Sequence, residues 1–401
     1  MAAVRPSAHP SALMPLVVQP GAAMPSAPSP APAEPLPPRG RRGHGRTTLQ
    51  QVAEATGVTK ITVSRYLRQP GSVAAGTAAR IEQALAATGY VANKQAGMLA
   101  SGRAGMVAAI VPSLANSVFA ETVQGLSEGL QPAGYELMLA SSGYAPQREE
   151  EQIRAVLGWL PDALAVVGHH HTPAALAMLR AAVRAGTPVI ELWDCQAEGG
   201  EFMQIGFDHA AVGRAMARQL LDAGHRRLAY VDTGVAEDLR AHERGKAFAA
   251  AVAEAAARVG ATRSARQRQA PSLLAITAPP GDAFDAGRAA LHQVLGAGRR
   301  LAASGVEAVA FANDHLACGA LLEAQRLGLA VPQQLALLGF GDFPLGRQLV
   351  PGLSTLRPPR YEIGAAAART MIELLASPAR TPPHHQPLSW SLVLRGSTLP
   401  G

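Results

Sequence analysis

The chain has 401 residues, of which 48% are hydrophobic and 16% charged, and this is enough apolar sequence to bury a large core in two subdomains. The net charge of +7 is concentrated near the N-terminus, because residues 1–103 hold 11 Lys and Arg against 3 Asp and Glu, whereas residues 104–401 hold 25 against 26. Cys195 and Cys318 show no CxxC spacing, and no apolar run reaches the roughly 18 residues of a membrane span. We therefore expect a cytoplasmic protein with no metal, no cofactor and no membrane partner.

The N-terminal segment, residues 1–46, is predicted to be a disordered tail. Residues 1–38 contain 11 of the 31 prolines together with much Ala and Ser, a composition that cannot pack a core. The last part of the tail, residues 39–46, carries four arginines and forms a basic arm. A concentrated basic segment of this kind is typical of nucleic-acid binding.

Residues 47–92 are predicted to form a helical DNA-binding domain. The apolar residues Leu49, Val52 and Ala53 recur at helical spacing, and Gly57 offers the backbone freedom that a sharp turn between two helices needs. Thr59 has a hydroxyl that can cap the second helix. The spacing then predicts a third helix over 77–88, whose expected cap position, Ala74, has no side-chain acceptor.

The second helix of this domain has the composition of a DNA-recognition helix. At about 100° per residue, one face presents Lys60, Ile61, Ser64 and Arg65. Such a face can contact base edges and phosphates in the major groove, whereas an ordinary helix pair with a solvated charged face is the alternative. The following segment, residues 93–104, contains Gly97 and is too short to form a stable helix by itself, so we interpret it as a hinge.

From Met106 onward, apolar runs alternate with helical stretches, a pattern typical of parallel βαβ units. Residues 105–401 are therefore predicted to form an α/β domain. The predicted strands are Met106–Val111, Glu136–Leu139, Ala163–Val167, Val189–Leu192, Leu228–Val231, Leu273–Ile276, Ala308–Ala312 and Leu335–Gly339.

Polar residues follow several of these strands, at the edge where open α/β sheets bind ligands. Arg240 and Arg244 lie one turn apart at the start of a predicted helix, and guanidinium groups bind carboxylates bidentately. The sequence therefore predicts a cleft for a small polyhydroxylated molecule that bears a carboxylate, although polar loop residues are common in any α/β protein. The candidate effector-binding residues are Ser113, Asn116, Phe119, Trp193, Asp194, Arg240, Arg244, Asn313 and Asp342.

Several motifs resemble those of the lactose/galactose repressor family, and particularly its gluconate-repressor branch, over about residues 48–398. They include Thr48-Leu-Gln-Gln-Val-Ala53, Val58-Thr-Lys-Ile-Thr-Val-Ser-Arg65, Gly89-Tyr-Val-Ala-Asn93, Asn313-Asp-His-Leu-Ala-Cys-Gly319 and Gly339-Phe-Gly-Asp-Phe343. The resemblance implies a small all-α helix-turn-helix head on a bilobal core like that of periplasmic binding proteins, with two parallel-sheet subdomains. One departure is Gly341, because many family members place an acidic residue there and this chain has Asp342 one position later.

The resemblance also implies a homodimer, or a tetramer, that binds double-stranded operator DNA and is controlled by a sugar or sugar-acid effector. Lys60, Ile61 and Arg65 would read bases, and Leu99 would enter the minor groove from a hinge helix. The residues implied to contact the DNA backbone are Thr48, Gln50, Thr59, Thr62, Ser64 and Asn93. Gluconate or a related sugar acid is the expected effector, with a neutral sugar or another small metabolite as the alternative.

Two other classes of protein share parts of this pattern. A sugar-binding transport protein would have the bilobal fold, and a sugar-metabolising enzyme would need a base or nucleophile in the cleft. Neither explains the basic head, so a transcriptional repressor that is not an enzyme is the favoured interpretation. The run His169-His170-His171 follows a strand and could suggest a metal site, but a cleft edge or solvated loop is the preferred interpretation.

Overall fold

The computed structural model describes residues 47–91, 104–114, 118–196, 200–261, 269–296, 304–377 and 383–399. They fall into two compact units, with the division after Ala92. The predicted tail and nearly all of the predicted hinge, including Asn93 and Leu99, lie outside the described residues, as does Asn116. Within the described ranges, no helix is long and apolar enough to cross a membrane.

The first unit is a bundle of three helices, α1 (Leu49–Thr56), α2 (Lys60–Arg68) and α3 (Ala75–Thr88). Gly57 ends α1 with φ of +66°, a left-handed conformation that glycine adopts without steric cost, and this produces the predicted turn. Helix α3 begins two residues earlier than predicted. Its first turn receives no side-chain hydrogen bond at Ala74, as the sequence indicated.

The core of the first unit forms where the three helices meet. Val52, Val63 and Ile81 are fully buried, one from each helix, and Leu67 and Leu85 pack against them. This arrangement follows from the helical spacing of the apolar residues.

The second unit contains two six-stranded sheets, each in its own lobe. The first lobe contains β1 (Met106–Val111), α4 (Ala120–Leu130), β2 (Glu136–Ser141), α5 (Pro146–Leu157), β3 (Ala163–Val167), α6 (Pro173–Arg184), β4 (Val189–Asp194) and β5 (Met203–Phe207). The second lobe contains α7 (His209–Asp222), β6 (Arg227–Asp232), α8 (Leu239–Ala261), β7 (Ser272–Thr277), α9 (Ala283–Leu295), β8 (Ala308–Phe311), α10 (Asp314–Arg326), β9 (Ala336–Phe340), α11 (Pro344–Gln348) and β10 (Ser354–Arg357). The chain then adds α12 (Arg360–Ala376) and β11 (His385–Pro387) to the first lobe, and β12 (Ser391–Val393) to the second.

The strand order is β11-β5-β4-β3-β1-β2 in the first sheet and β12-β10-β9-β8-β6-β7 in the second. Every pair is parallel except that of β12 with β10, which is antiparallel at the sheet edge. All five residues of β3 are buried, since helices cover both faces of a parallel sheet. The chain passes between the lobes three times, after β5, after β10 and after β11, and so leaves a cleft between them.

Helix α12 packs closely on α4 in the first lobe, and glycines make this approach possible. A Cβ atom at Gly125 would collide with the carbonyl oxygen of Tyr361, and one at Gly364 would collide with that of Thr122. Any larger residue at either position would push the two helices apart.

All eight predicted strands are present, with ends that differ by up to two residues. Trp193 and Asp194 were expected to follow a strand, but they are the last two residues of β4. Strands β5, β10, β11 and β12 were not predicted, because they are three to five residues long and contain polar residues or glycine.

Candidate functional site

The first unit presents an exposed polar face on α2. Lys60 and Arg65 are exposed, and Ile61 is 69% exposed despite its apolar side chain, whereas Val63 on the other side of the helix is fully buried. Ser64 is half-buried on the exposed side. An exposed isoleucine between two cations matches the needs of major-groove contact, since it can meet a thymine methyl group.

Polar side chains at the helix starts are largely used for capping. The Thr48 hydroxyl accepts a hydrogen bond from the Gln51 amide, and the Thr59 hydroxyl accepts one from the Thr62 amide at 3.2 Å. The Gln50 side chain donates to Glu54 at 2.6 Å. These contacts hold the ends of α1 and α2 in place, and they confirm the predicted capping role of Thr59.

The cleft between the two lobes of the second unit holds three adjoining cavities, and Tyr144 lines all of them. The inner cavity, of about 50 Å³, is lined by Phe119, Trp193, His209, Arg240, Arg244, Asn313 and Phe340 among others. The lateral cavity, of about 400 Å³, includes Ser113, Val118, Thr233, Asp238, Asp282, Asn313 and His315. The histidine cavity, of about 170 Å³, includes Ser142, Glu149, Gly168, His169, His170, Glu237 and Arg240.

Arg244 is built into the wall of the inner cavity. Its side chain is almost fully buried; Nη2 donates to the carbonyl oxygen of Ala312 at 3.0 Å, and Nη1 lies 2.9 Å from His209 Nδ1. The guanidinium also lies 3.9 Å from the centroid of the Phe340 ring. Its buried Nε has no hydrogen-bond partner among the described residues, so one N–H remains to be satisfied by a bound molecule or water.

His209 receives the Arg244 hydrogen bond on Nδ1, and its Nε2 therefore carries the proton. Nε2 lies 3.1 Å from the carbonyl oxygen of Trp193 and 3.3 Å from Asp194 Oδ1. Burial lowers the pKa of His209, which keeps the ring neutral and fixes this tautomer.

Asp194 lies behind the cavity wall rather than in it. Its carboxylate is almost fully buried and bonds His169 Nδ1 at 2.9 Å on one oxygen, with His209 beside the other. Burial opposes its ionisation, but the hydrogen bonds from these two histidines hold its pKa well below the usual range. Asp194 therefore positions two cavity histidines, and its direct contact with the effector stays a prediction.

Aromatic side chains form the apolar wall of the inner cavity. Trp193 is buried, has a positive φ of +75°, and donates from Nε1 to the Thr122 hydroxyl at 3.1 Å. Its ring meets Phe119 edge to face, with centroids 5.0 Å apart. These contacts tie the aromatic wall to the first lobe.

Arg240 also lines the inner cavity, but its guanidinium has a different environment from that of Arg244. No hydrogen bond or ion pair joins it to any residue in the described part of the chain; its ring contact is with Phe119, whose centroid is 5.8 Å from Cζ. The glycine at 168 makes room for it, because a Cβ atom there would stand 2.6 Å from Arg240 Nη1.

Asn313 and Ser113, two of the predicted effector-binding residues, line the lateral cavity. The Asn313 side-chain oxygen caps α10 by accepting the Leu316 amide at 3.0 Å, so its NH₂ group is the part that can face a ligand. Tyr144 and Asp238 also line this cavity but were not predicted, because each lies several residues beyond the end of its strand, β2 or β6.

Asp342 does not line these cavities. Its buried carboxylate accepts hydrogen bonds from Arg357 Nε at 2.6 Å and Arg395 Nη2 at 2.7 Å. Burial alone would raise its pKa, but these two arginines lower it. Both carboxylate oxygens bond arginines within the second lobe, and the role of Asp342 as an effector residue stays a prediction.

The run of three histidines was expected to be a cleft edge or a solvated loop. His169 and His170 do lie at the cleft, but the His171 side chain is fully buried, with Nδ1 2.6 Å from Glu149 and Nε2 3.5 Å from Glu191. Burial alone would lower the pKa of His171, but the two carboxylates raise it to about 9. Among the residues that the structure describes, no group of three His, Cys, Asp or Glu side chains could hold a metal ion.

Comparison with known proteins places this architecture in a family. Residues 48–93 match "Bacterial regulatory proteins, lacI family", and residues 217–398 match a periplasmic binding protein-like domain. The protein is 38% identical to the HTH-type transcriptional regulator GntR of Pseudomonas aeruginosa, over 84% of this chain and 91% of that protein. The chain belongs to the lacI family.

Further similarities support this assignment. GntR of Escherichia coli strain K12 is 32% identical over 84% of this chain and 94% of its own length. A crystal structure of a LacI-family regulator from Silicibacter pomeroyi matches with a TM-score of 0.76 and 31% identity, and covers 88% of this chain and 99% of that one. The protein is therefore a DNA-binding transcriptional repressor of the lacI family and not an enzyme, and the interpretation as a transport protein is set aside.

Proposed function

We propose that the protein is a dimeric operator-binding repressor whose affinity for DNA is controlled by gluconate or a related sugar acid. The observation that carries the effector proposal is the guanidinium of Arg240, which borders two cleft cavities without a hydrogen bond or ion pair to the described residues. A buried or half-buried cation in such a place favours an anionic ligand. The similarity to two regulators named GntR supports the same class of effector.

In this proposal, Lys60, Ile61 and Arg65 read base edges. The sequence-independent contacts to the DNA backbone come from Thr48, Gln50, Thr59, Thr62, Ser64 and Asn93, and Leu99 of the hinge enters the minor groove. Phosphate contacts position a protein on the duplex, whereas major-groove contacts discriminate between bases. A homodimer presents two heads to the two halves of a pseudo-palindromic operator, and pairs of dimers would give a tetramer.

The effector lies in the cleft between the lobes and contacts both. The residues that we assign to it are Ser113, Asn116, Phe119, Trp193, Arg240, Arg244 and Asn313. Hydroxyl groups of the ligand meet the amide, hydroxyl and carboxylate groups of the lateral cavity, and its carbon chain meets the aromatic wall. The ligand shifts the relative orientation of the lobes only to the extent that it binds one orientation more tightly than the other.

The test is fluorescence anisotropy of labelled DNA from upstream of the protein's own gene and of adjacent sugar-uptake genes, titrated with full-length protein at fixed salt. Addition of gluconate should change operator affinity, whereas glucose at the same concentration should not. A response to glucose alone would favour the neutral-sugar alternative. If neither compound changes operator affinity, the effector assignment is wrong, but the assignment as an operator-binding repressor still holds.

The DNA-reading face is tested by comparing Arg65→Ala with Arg80→Ala. Arg80 is an exposed arginine on α3, so its removal changes the net charge by the same amount outside the proposed face. Loss of a base-reading arginine should cost about 1–3 kcal/mol of discrimination between operator and unrelated DNA. Equal losses in both variants would mean that Arg65 contributes only general electrostatic attraction.

A further inference from the structure

His169 and His170 lie beside Arg240 in the histidine cavity, next to the inner cavity of the cleft. The two imidazole rings are adjacent, with centroids 3.8 Å apart and planes tilted by 43°. We propose that this cavity binds the carboxylate of the effector, with Arg240 and His170 as the donors, so that the polyol chain runs from there toward the inner and lateral cavities. This inference rests on the proposed sugar-acid effector. It places the carboxylate end of that ligand in the histidine cavity and the polyol end toward the inner and lateral cavities.

Arg240 is the stronger of the two donors. Its guanidinium can donate two parallel hydrogen bonds to a carboxylate, and among the described residues no protein carboxylate already takes them. The absence of a side chain at Gly168 lets Arg240 lie against the end of β3, because a Cβ atom there would stand 2.6 Å from Nη1. The first lobe thus provides a recess for an arginine that the second lobe supplies.

His170 is the second donor. It is exposed to solvent at the cavity, and no hydrogen bond joins it to the described residues. Its neighbour His169 donates from Nδ1 to Asp194, which raises the pKa of His169. Burial and the nearby His169 lower the pKa of His170, so the ring is neutral near pH 7 and can donate an N–H to an incoming carboxylate.

Two carboxylates, Glu149 and Glu237, also line the histidine cavity, and their negative charge could oppose the binding of an anion. Glu149 lies 2.6 Å from Nδ1 of the buried His171, whose pKa of about 9 keeps that ring charged, so the pair is close to neutral. Glu237 is exposed at the rim. Its negative charge opposes an anion in the cavity, so its removal should raise the affinity for gluconate, whereas the loss of Arg240 or His170 should lower it.

The inner cavity is less suited to the carboxylate. Arg244 is already held by the protein, because Nη1 bonds His209, Nη2 donates to Ala312 and the guanidinium lies against the Phe340 ring. Its remaining N–H groups are therefore less available for the two parallel hydrogen bonds that a carboxylate takes from a guanidinium without such partners. With a volume of about 50 Å³ and aromatic walls, this cavity fits a short part of a carbon chain with one hydroxyl.

The experiment compares D-gluconate with D-gluconamide, which keeps the polyol chain and replaces the carboxylate by a neutral amide. Isothermal titration calorimetry on the full-length protein gives both affinities. We expect Arg240→Gln and His170→Ala each to lower the affinity for gluconate by about tenfold or more, which is the size of a lost charge-assisted hydrogen bond. The affinity for gluconamide should change little. Arg240→Lys keeps the charge and should retain part of the preference.

Glu237→Gln should strengthen gluconate binding and leave gluconamide unchanged. Arg154→Gln removes an exposed cation from α5 outside the cavity and serves as the charge control. Suppose that the wild type binds gluconate more tightly than gluconamide and that the Arg240 and His170 variants keep the same preference. This result would overturn the inference, but it would leave the sugar-acid function in place. Wild-type protein that binds neither compound, or both equally, would overturn the sugar-acid effector and this inference together.

Discussion

Replacement of His171 by glutamine should destabilise the second unit, and should do so in a pH-dependent way. The imidazole is fully buried and lies 2.6 Å from Glu149 and 3.5 Å from Glu191. Its pKa is raised from 6.5 to about 9, which at about 1.4 kcal/mol per pKa unit corresponds to about 3 kcal/mol of stability. Glutamine can still donate one hydrogen bond, but it carries no charge.

The sign of the pH effect follows from the direction of the shift. Since folding raises the pKa of His171, the charged ring contributes its full stabilisation below about pH 6.5, and this contribution is lost as the pH rises through about 9. The difference in unfolding free energy between wild type and His171→Gln should therefore be about 3 kcal/mol larger at pH 6 than at pH 10. A remaining, pH-independent difference would reflect the packing of the new side chain.

Urea denaturation followed by tryptophan fluorescence measures this difference directly. All three tryptophans, Trp159, Trp193 and Trp390, lie in the second unit, so the signal reports on the unit that contains His171. His242→Gln is the matched control, because His242 also pairs with a carboxylate, Asp232 at 2.7 Å, but is 28% exposed. An equal cost of His171→Gln at both pH values would refute the assignment of a charged, carboxylate-bound ring.

Three further outcomes are expected. Arg244→Gln should leave operator affinity unchanged but blunt the response to gluconate in the anisotropy assay, because it removes the group that orients His209. Ala74→Ser should stabilise α3 by about 0.5–2 kcal/mol, since this helix has no side-chain cap, and hydrogen exchange of its first turn should slow in the full-length protein. Gly168→Ala should weaken gluconate binding in calorimetry, because the new Cβ atom displaces Arg240 and the φ of +100° strains any residue other than glycine.

The sequence predicted the sheets well because a parallel strand buried on both faces leaves an unmistakable run of apolar residues. Strands such as Ala163–Val167 and Met106–Val111 have this composition, and their bounds were predicted without error. Strand β11 is His385–Pro387 and has no apolar run at all. It forms a strand because it pairs with β5 at the edge of the sheet. Pairing between distant segments of this kind cannot be recognised from the local sequence.

The candidate site was harder to predict, because charge alone does not separate a ligand-binding residue from a structural one. Asp342 and Arg240 both follow strand ends, and nothing in the local sequence distinguishes their roles. In the folded chain, Asp342 meets Arg395, which is 53 residues away, whereas no described carboxylate pairs with Arg240. The partner that neutralises a buried charge comes from distant parts of the chain, so its presence becomes visible only in three dimensions.

Two arginines one turn apart on α8, Arg240 and Arg244, have different surroundings and therefore different roles. Arg244 faces inward, where a carbonyl oxygen, an imidazole and an aromatic ring compensate most of the cost of burying its charge. Arg240 reaches the other lobe, where Gly168 leaves space for it and no described carboxylate forms an ion pair with it; the nearby carboxylate of Asp194 is already bonded to His169. Its N–H groups are therefore open to a ligand, and an anion that closes the cleft over Arg240 would gain affinity from this contact. An effector bound in this way binds one arrangement of the lobes more tightly than others, which is the condition for it to control a distant DNA-binding head.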